Sequence, residues 1–399
     1  MARVARRGLS RRRTRALPFA AALLLCAGQA SASQPDLQGL GARSAALAGA
    51  GAADAEGYDA AFLNPAGAVG PEAARLTLGY LWGTHALQLN GAARSVAPER
   101  GLQLGIAAPL PFGGVLEKRL GLAIAAYLPI KLIDHARSPF VDEPRLVLLD
   151  DRTQVVSVLA CAGVRVTDQL SLGVGTQVLA TLLGQIRVAP DTSGRLVTLA
   201  DEEATLRAAP LFGARLALGR LHLGATVRGA SAADFDLTIK ADLGPSLPIA
   251  VPVMRIKGVA QYDPLQAVLE AAWDLGALRL LAGATWKRWS DFPAIGEKVT
   301  AGAPEPVPAG LVDTFTPRLA AELQQGALLL RAGYLLEPTP AKSAAPSLVD
   351  ATRHVFTAGA GFGVRGLRFD LFAQLHALQG SARAQGTIFA LGGTVGADL

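Results

Sequence analysis

The chain has 399 residues, 51% of them hydrophobic, with 38 Lys+Arg against 32 Asp+Glu and a formal net charge of +6. Seven arginines (Arg3, Arg6, Arg7, Arg11, Arg12, Arg13 and Arg15) fall before residue 16, where there is no acid, so the rest balances at 31 basic (38 − 7) against 32 acidic residues, about −1. That balance removes the case for nucleic acid as a partner, and a single cysteine beyond residue 32, Cys161, excludes an internal disulfide.

Residues 1–32 read as a signal peptide. The seven arginines form a basic region, Ala16 to Ala27 an apolar one too short to span a bilayer as a helix, and Ala30-Ser31-Ala32 suits cleavage before Ser33. Residues 33–73 are a separate segment of small residues, suited to close packing in a confined space. Within it Asn64 precedes Pro65, which fits a helix N-cap with proline at the first helical position, or a simple turn.

From residue 74 on, the pattern is strands. They are expected near 74–82, 101–111, 119–133, 153–166, 169–183, 203–217, 221–239, 262–273, 277–290, 315–324, 326–337, 353–363, 366–378 and 386–399. The stretch 84–93 could replace or extend the first. Leu367 to His376 shows the rule: Leu, Phe, Leu, Ala, Leu on one face and Arg, Asp, Phe, Gln, His on the other. Connections alternate between short turns (Phe112–Lys118, Thr167–Asp168, Leu218–Arg220, Asp274–Gly276, Gln325, Val364–Arg365) and longer loops (83–100, 134–152, 184–202, 240–261, 291–314, 338–352, 379–385). A soluble sandwich has no reason to sort loops by parity, whereas an outer-membrane barrel has short periplasmic turns and long external loops. No run beyond the signal resembles a membrane helix; stretches such as Gln169 to Ile186 are broken by Gly, Ser, Thr and Gln. The expected fold is an all-β, fourteen-stranded antiparallel transmembrane β-barrel spanning 74–399.

Parity sorts the side chains. On the ninth strand Leu278, Leu280, Ala282, Ala284 and Trp286 should face lipid, and Arg279, Leu281, Gly283, Thr285 and Lys287 the lumen. Arg165, Arg207, Arg215, Glu270, Arg318, Glu322, Arg331, Arg368 and Asp370 also fall inward, where they brace the wall or meet a substrate. Cys161 falls inward as a structural thiol. Pro129 sits inside the third strand and cannot donate to a ladder, so it marks a bulge or kink. The loop 240–261 is apolar for an external loop, with Leu247, Ile249, Val251, Val253 and Met254; it reads as a self-packed cap or a capture groove.

Several motifs in order resemble the FadL/TodX family of outer-membrane long-chain fatty acid and hydrocarbon transporters. A Gly/Ala-rich run from Gly39 to Gly51 leads through an acidic stretch to Phe62-Leu63-Asn64-Pro65-Ala66-Gly67. Arg165 to Gly173 is similar to a tight periplasmic hairpin of the family, Trp289-Ser290-Asp291-Phe292 to a strand end, and Leu330 to Tyr334 with Glu337-Pro338-Thr339-Pro340 to another recurring stretch. The resemblance implies that residues 33–73 form a hatch plugging the lumen, with Asn64, Pro65 and Ala66 as its motif. It implies ligand capture between the loops after strands five and seven, with Leu182, Leu183 and Ile186 joining the apolar residues of 240–261. It also implies a lateral exit at the kink in strand three, assigned to Pro129. For a carboxylate head group, Arg207, Arg279, Lys287 and Arg331 are the inward cations available. The chain departs from the pattern in ending on Leu399 rather than an aromatic residue, and in its 6% aromatic content.

The expected role is therefore an outer-membrane channel in a Gram-negative bacterium for a hydrophobic small molecule, monomeric among outer-membrane lipid, with no cofactor, metal or nucleic acid. A nonspecific porin and a barrel scaffold binding a protein partner are the alternatives. An enzyme is not expected: His85, His135, His222, His354 and His376 are scattered, no G-x-S-x-G occurs, and no His/Cys cluster has metal spacing.

Overall fold

The computed structural model describes residues 34–399 apart from 97, 131–144, 147–155, 191–195, 242–253, 294–296, 301–302, 307, 344–347 and 380–382. Fourteen strands form its wall: β1 Arg75–Leu89, β2 Glu99–Pro109, β3 Leu120–Pro129, β4 Ser157–Arg165, β5 Leu170–Pro190, β6 Leu196–Leu218 and β7 Leu221–Arg228. They continue as β8 Leu265–Leu275, β9 Leu278–Arg288, β10 Thr314–Gln325, β11 Leu328–Glu337, β12 Arg353–Val364, β13 Leu367–Leu378 and β14 Ala384–Asp398. Each pairs antiparallel with its sequence neighbours, and β14 pairs back to β1 from Arg75↔Asp398 to Leu89↔Ala384. Closure leaves the wall without an edge. The seam is finished by Leu399 N donating to Ala74 O and by a 2.6 Å ion pair between Arg75 and Asp398.

The alternation holds where it was read. On β13, Asp370 and Gln374 are 7% and 3% exposed, while Leu371 and Leu375 are 61% and 44% exposed to the outside. On β9, Leu280 and Trp286 are exposed and Leu281, Thr285 and Lys287 buried, as parity requires. The outward apolar side chains stand exposed, the pattern of a lipid-facing wall.

Several boundaries differ from expectation. β1 runs on to Leu89 and turns back through Asn90 and Gly91 (φ 51° and 79°) into Ala92–Arg94, so part of the loop 83–100 is a hairpin. Both turn residues adopt positive φ, the geometry that Asn-Gly supplies. The Gln325 turn is Gly326–Ala327, with Gly326 at φ 61°. The seventh strand, expected over 221–239, is two strands: β7 stops at Arg228, and Ser231–Ala241 leaves the wall. That second piece runs parallel to the outer part of β5 (Phe235↔Leu182 to Ala241↔Val188) and antiparallel to Met254–Asp263, which precedes β8. At about 3.3 Å per residue, β5 and β6 are far longer than the 9–11 residues a bilayer needs. Their outer halves, with Ser231–Ala241 and Met254–Asp263, make a four-stranded sheet standing above the long-loop end. The loops expected at 184–202 and 240–261 are thus largely strand where described.

Candidate lumenal site and its hatch

Residues 34–69 lie inside the barrel as short helices, α1 Gln34–Gln38, α2 Ala42–Ala46 and α3 Ala60–Leu63, followed by a 3-10 turn at Pro65–Val69, and residues 70–73 lead out to β1. Asn64 caps that turn: its Oδ1 accepts from Ala66 N at 3.0 Å, with Pro65 at the first position. Its Nδ2 donates to Ala52 O within the segment (2.7 Å) and to Ala214 O of β6 (3.0 Å). One side chain therefore shapes the hatch and ties it to the wall.

The hatch reaches the wall backbone directly. A Cβ at Gly121 would lie 1.9 Å from Ala68 O, at Gly213 2.0 Å from Asn64 Oδ1, and at Gly224 2.1 Å from Ala52 O. Only a residue without a side chain allows this approach. Wall side chains then satisfy hatch backbone groups: Glu270 accepts from Gly51 N and Ala53 N, Arg215 donates to Ala53 O and Ala55 O, Arg318 to Gly49 O, and Gln374 to Gln38 O and Ala45 O.

Ion pairs complete the seal in two groups. In the first, Arg43 of the hatch bridges Asp54 (2.7 Å) and Glu322 (3.1 Å); Arg331 holds Glu322 and Asp370 at 2.6 Å each. Arg279 meets Asp54 at 3.0 Å and also pairs with Asp274. In the second, Asp36 of α1 meets Lys287 at 2.8 Å, and Lys287 and Arg353 both meet Glu337, at 2.8 and 3.2 Å. Burial alone would raise both hatch carboxyls. Arg43, Arg279 and Arg215 instead hold Asp54 down to about 2, and Lys287 and Arg228 do the same for Asp36, also about 2. Asp59 lacks such a partner; burial, then Asp54 and Glu56 nearby, outweigh Arg43 and Arg368 and raise it to about 7.

Above α1 the lumen changes character. Leu37, Leu87, Tyr262, Trp289, Leu311, Leu348, Leu378 and Ile388 belong to one buried apolar cluster fed by α1, β1, β13, β14 and the long connections. Tyr262, Trp289 and Phe292 form an aromatic trio in it, with ring centroids 5.1 to 6.4 Å apart. A small cavity of about 50 Å³ lies between α1, the rest of the hatch and the wall from β7 to β13, with Arg228, Lys287 and Arg318 among its lining.

Of the proposed groove residues, Leu182, Leu183 and Ile186 fall on the outer part of β5 and Met254 on the strand next but one. The registers Ile186↔Ile239 and Ile239↔Met254 bring the segments after strands five and seven into one sheet. Leu247, Ile249, Val251 and Val253 lie outside the described residues. Pro129 ends β3 opposite Gly101, with Ile130 N donating to Arg100 O; residues 131–144 beyond it lie outside the description. Among the head-group cations, Arg279, Lys287 and Arg331 are engaged by carboxylates, and Arg207 is exposed higher on β6, opposite Leu179. Sequence reading missed Arg353 and Glu337 as lumenal partners and the wall glycines that touch the hatch, such as Gly121, Gly213 and Gly224; inward parity close to the short turns was the available signal for the glycines.

No family model matches the sequence, and neither does any curated protein. Solved structures do match the fold. A Pseudomonas aeruginosa FadL homologue superposes with a TM-score of 0.63 at 14% identity, over 93% of this chain and 100% of that one. The Ralstonia pickettii toluene transporter TbuX gives 0.57 at 16% identity, over 91% and 99%, and the P. putida toluene transporter TodX 0.56 at 15% identity, over 91% and 99%. The chain therefore has the fourteen-stranded, hatched fold of FadL/TodX-type channels.

Proposed function

We propose that the protein is a passive channel for hydrophobic compounds, long-chain fatty acids or similar lipophiles, in the outer membrane of a Gram-negative bacterium. One observation carries the reading: among the described residues the lumen is filled by a hatch tied to the wall through buried ion pairs and, on the long-loop side, by an apolar cluster. A water-soluble solute gains nothing from such a lumen. A lipophile gains about 25 cal/mol for each Å² of apolar surface it buries. The shared fold with proteins described as toluene transporters supports the same reading.

The proposed route starts at the raised sheet, where Leu182, Leu183, Ile186 and Met254 with the residues of 247–253 would collect ligand. It continues into the apolar cluster and leaves sideways near Pro129. A carboxylate head group on Arg279, Lys287 or Arg331 would have to displace a carboxylate already there, so those sites suit ligand only if the hatch shifts. The barrel works as a monomer surrounded by lipid. Uptake of radiolabelled oleate and of toluene by cells expressing the protein tests the reading. Replacing Pro129, which ends β3, by Val so that the ladder can run on should abolish uptake with the barrel intact, and unchanged uptake would sink the lateral exit. Large, steady conductance of the wild-type protein in planar bilayers would sink the channel reading in favour of a porin.

A further inference from the structure

The hatch also leaves a mark on the outside of the barrel. Glu270, Arg215 and Gly224 face inward on β8, β6 and β7 and hold the hatch backbone at 2.8 to 3.1 Å or by direct contact. On the opposite face of the same stretch of wall is an apolar hollow of about 480 Å³, lined among others by Ala214, Ala225 and Ala271 with Leu170, Leu216 and Leu269. The alanines and leucines are the outward partners of those inward residues by strand parity. Three features say what fills it. The hollow opens on the belt whose other large side chains (Phe212, Val227, Leu319) are exposed to the hydrocarbon. Leu216 lies two residues from the end of β6, so the hollow begins about 7 Å from the β6–β7 turn, within the leaflet at the short-turn end. And that turn carries an exposed arginine, Arg220, whose carbonyl is tied to Asp274 N of β8, at the depth of lipid head groups. Asp274, the acid on this part of the rim, is already paired with Arg279 and His222, while Asp168 lies on the neighbouring β4–β5 turn.

We propose that this hollow seats one acyl chain of a phospholipid from the leaflet at the short-turn end, with the lipid phosphate against Arg220. The site is separate from the cargo route and requires only that the barrel stand in a bilayer. An acyl chain there fills apolar space that small side chains leave open, and a phosphate meets a guanidinium in a charge-assisted, bidentate pair.

Native mass spectrometry of the barrel extracted from membranes in mild detergent tests it. One phospholipid should remain on the wild type. Ala225→Leu with Ala271→Leu, which fills the hollow, should lose it, and Ala358→Leu, an outward change on β12, should keep it. Arg220→Glu should lower retention of added phosphatidylglycerol several-fold, and as a rim substitution it leaves the wall packing alone. Heat-dependent gel mobility confirms that each barrel is folded, and cargo uptake by the filled variant should be unchanged, which separates this site from the channel reading. A wild type with no bound phospholipid, or equal retention by the filled variant and Arg220→Glu, overturns the proposal. So does retained free fatty acid in the hollow, which would make it a cargo site, or a dimer lost on filling it, which would make it a contact between copies.

Discussion

The two ends of the lumen are filled by opposite means. From the short turns up to α1, hatch and wall meet through backbone-to-glycine contact, directed hydrogen bonds and buried ion pairs. Beyond Leu37, the space is closed by an apolar cluster with an aromatic trio. Buried charges are unforgiving, because removing one partner strands the other in low dielectric. Apolar packing is non-directional and accepts other shapes of similar volume. One end therefore tolerates a single arrangement, while the other can repack among shapes of similar volume.

The largest expected effect comes from wedging the sealed end. Gly121→Val with Gly213→Val puts new atoms where Ala68 O and Asn64 Oδ1 now sit, and neither the hatch backbone nor the capping asparagine can yield without leaving the wall. The hatch should come out of the lumen while the fourteen-stranded ladder stays closed. Steady conductance in planar bilayers should appear, with heat-dependent gel mobility unchanged. A variant that remained silent would show that backbone contact is not what seats the plug.

Substitution of equal volume should then separate the two ends. Arg331→Met leaves Glu322 and Asp370 buried with a lost partner, and should cost roughly 3–5 kcal/mol in urea unfolding of the reconstituted protein. Leu378→Met in the apolar cluster should cost less than about 1.5 kcal/mol. Similar losses at both would erase the distinction.

How far all this could be read beforehand follows the same division. Period-2 alternation and loop parity need only local sequence; they yielded fourteen wall strands and put Glu270, Glu322, Arg331 and Asp370 on the buried face, while Arg207 stands exposed. Partners were harder. Arg43 meets Glu322 across 279 positions, and nothing local to either announces the other. The raised sheet depends on β5 pairing with a strand some fifty residues later, so its segments read as loops. Wall glycines such as Gly213 read as weak strand positions until the hatch is seen against them. Asn90-Gly91 is a legible hairpin signal, left unused where 84–93 is read as a possible extension of the first strand, the extension that β1 makes as far as Leu89.

Within residues 40–66 of the hatch, acidity should act through two carboxyls whose shifts have opposite sign, Asp36 lying outside that stretch. Asp54 is held at about 2 against an ordinary value of 3.8, so its stabilising contribution is complete above about pH 4 and is lost as pH falls toward 2. Asp59 is raised to about 7, so the folded hatch is favoured while it stays protonated; that advantage is fully present below about pH 4 and is lost as pH rises to 7. Hydrogen exchange of residues 40–66 should therefore show greatest protection near pH 4. Asp59→Asn should flatten the limb above it and Asp54→Asn the limb below. A flat profile in the wild type would mean that neither carboxyl is sealed from water.

The smallest effect is expected where an ion pair of the same chemistry stands in the open. Arg75 and Asp398 close the seam between β1 and β14 at 2.6 Å, as short as the pairs Arg331 makes, yet their side chains are 35% and 38% exposed. Water and salt screen that attraction and the two side chains lose freedom to make it, so exposed pairs contribute about 0.2–1 kcal/mol. Fifteen register pairs already hold the two strands together without it, from Arg75↔Asp398 to Leu89↔Ala384. Arg75→Ala should shift the urea midpoint by less than about a third of the Arg331→Met shift, and raising the salt concentration should abolish even that. A seam variant as damaging as the lumenal one would mean that burial is not what separates structural from incidental ion pairs in this barrel.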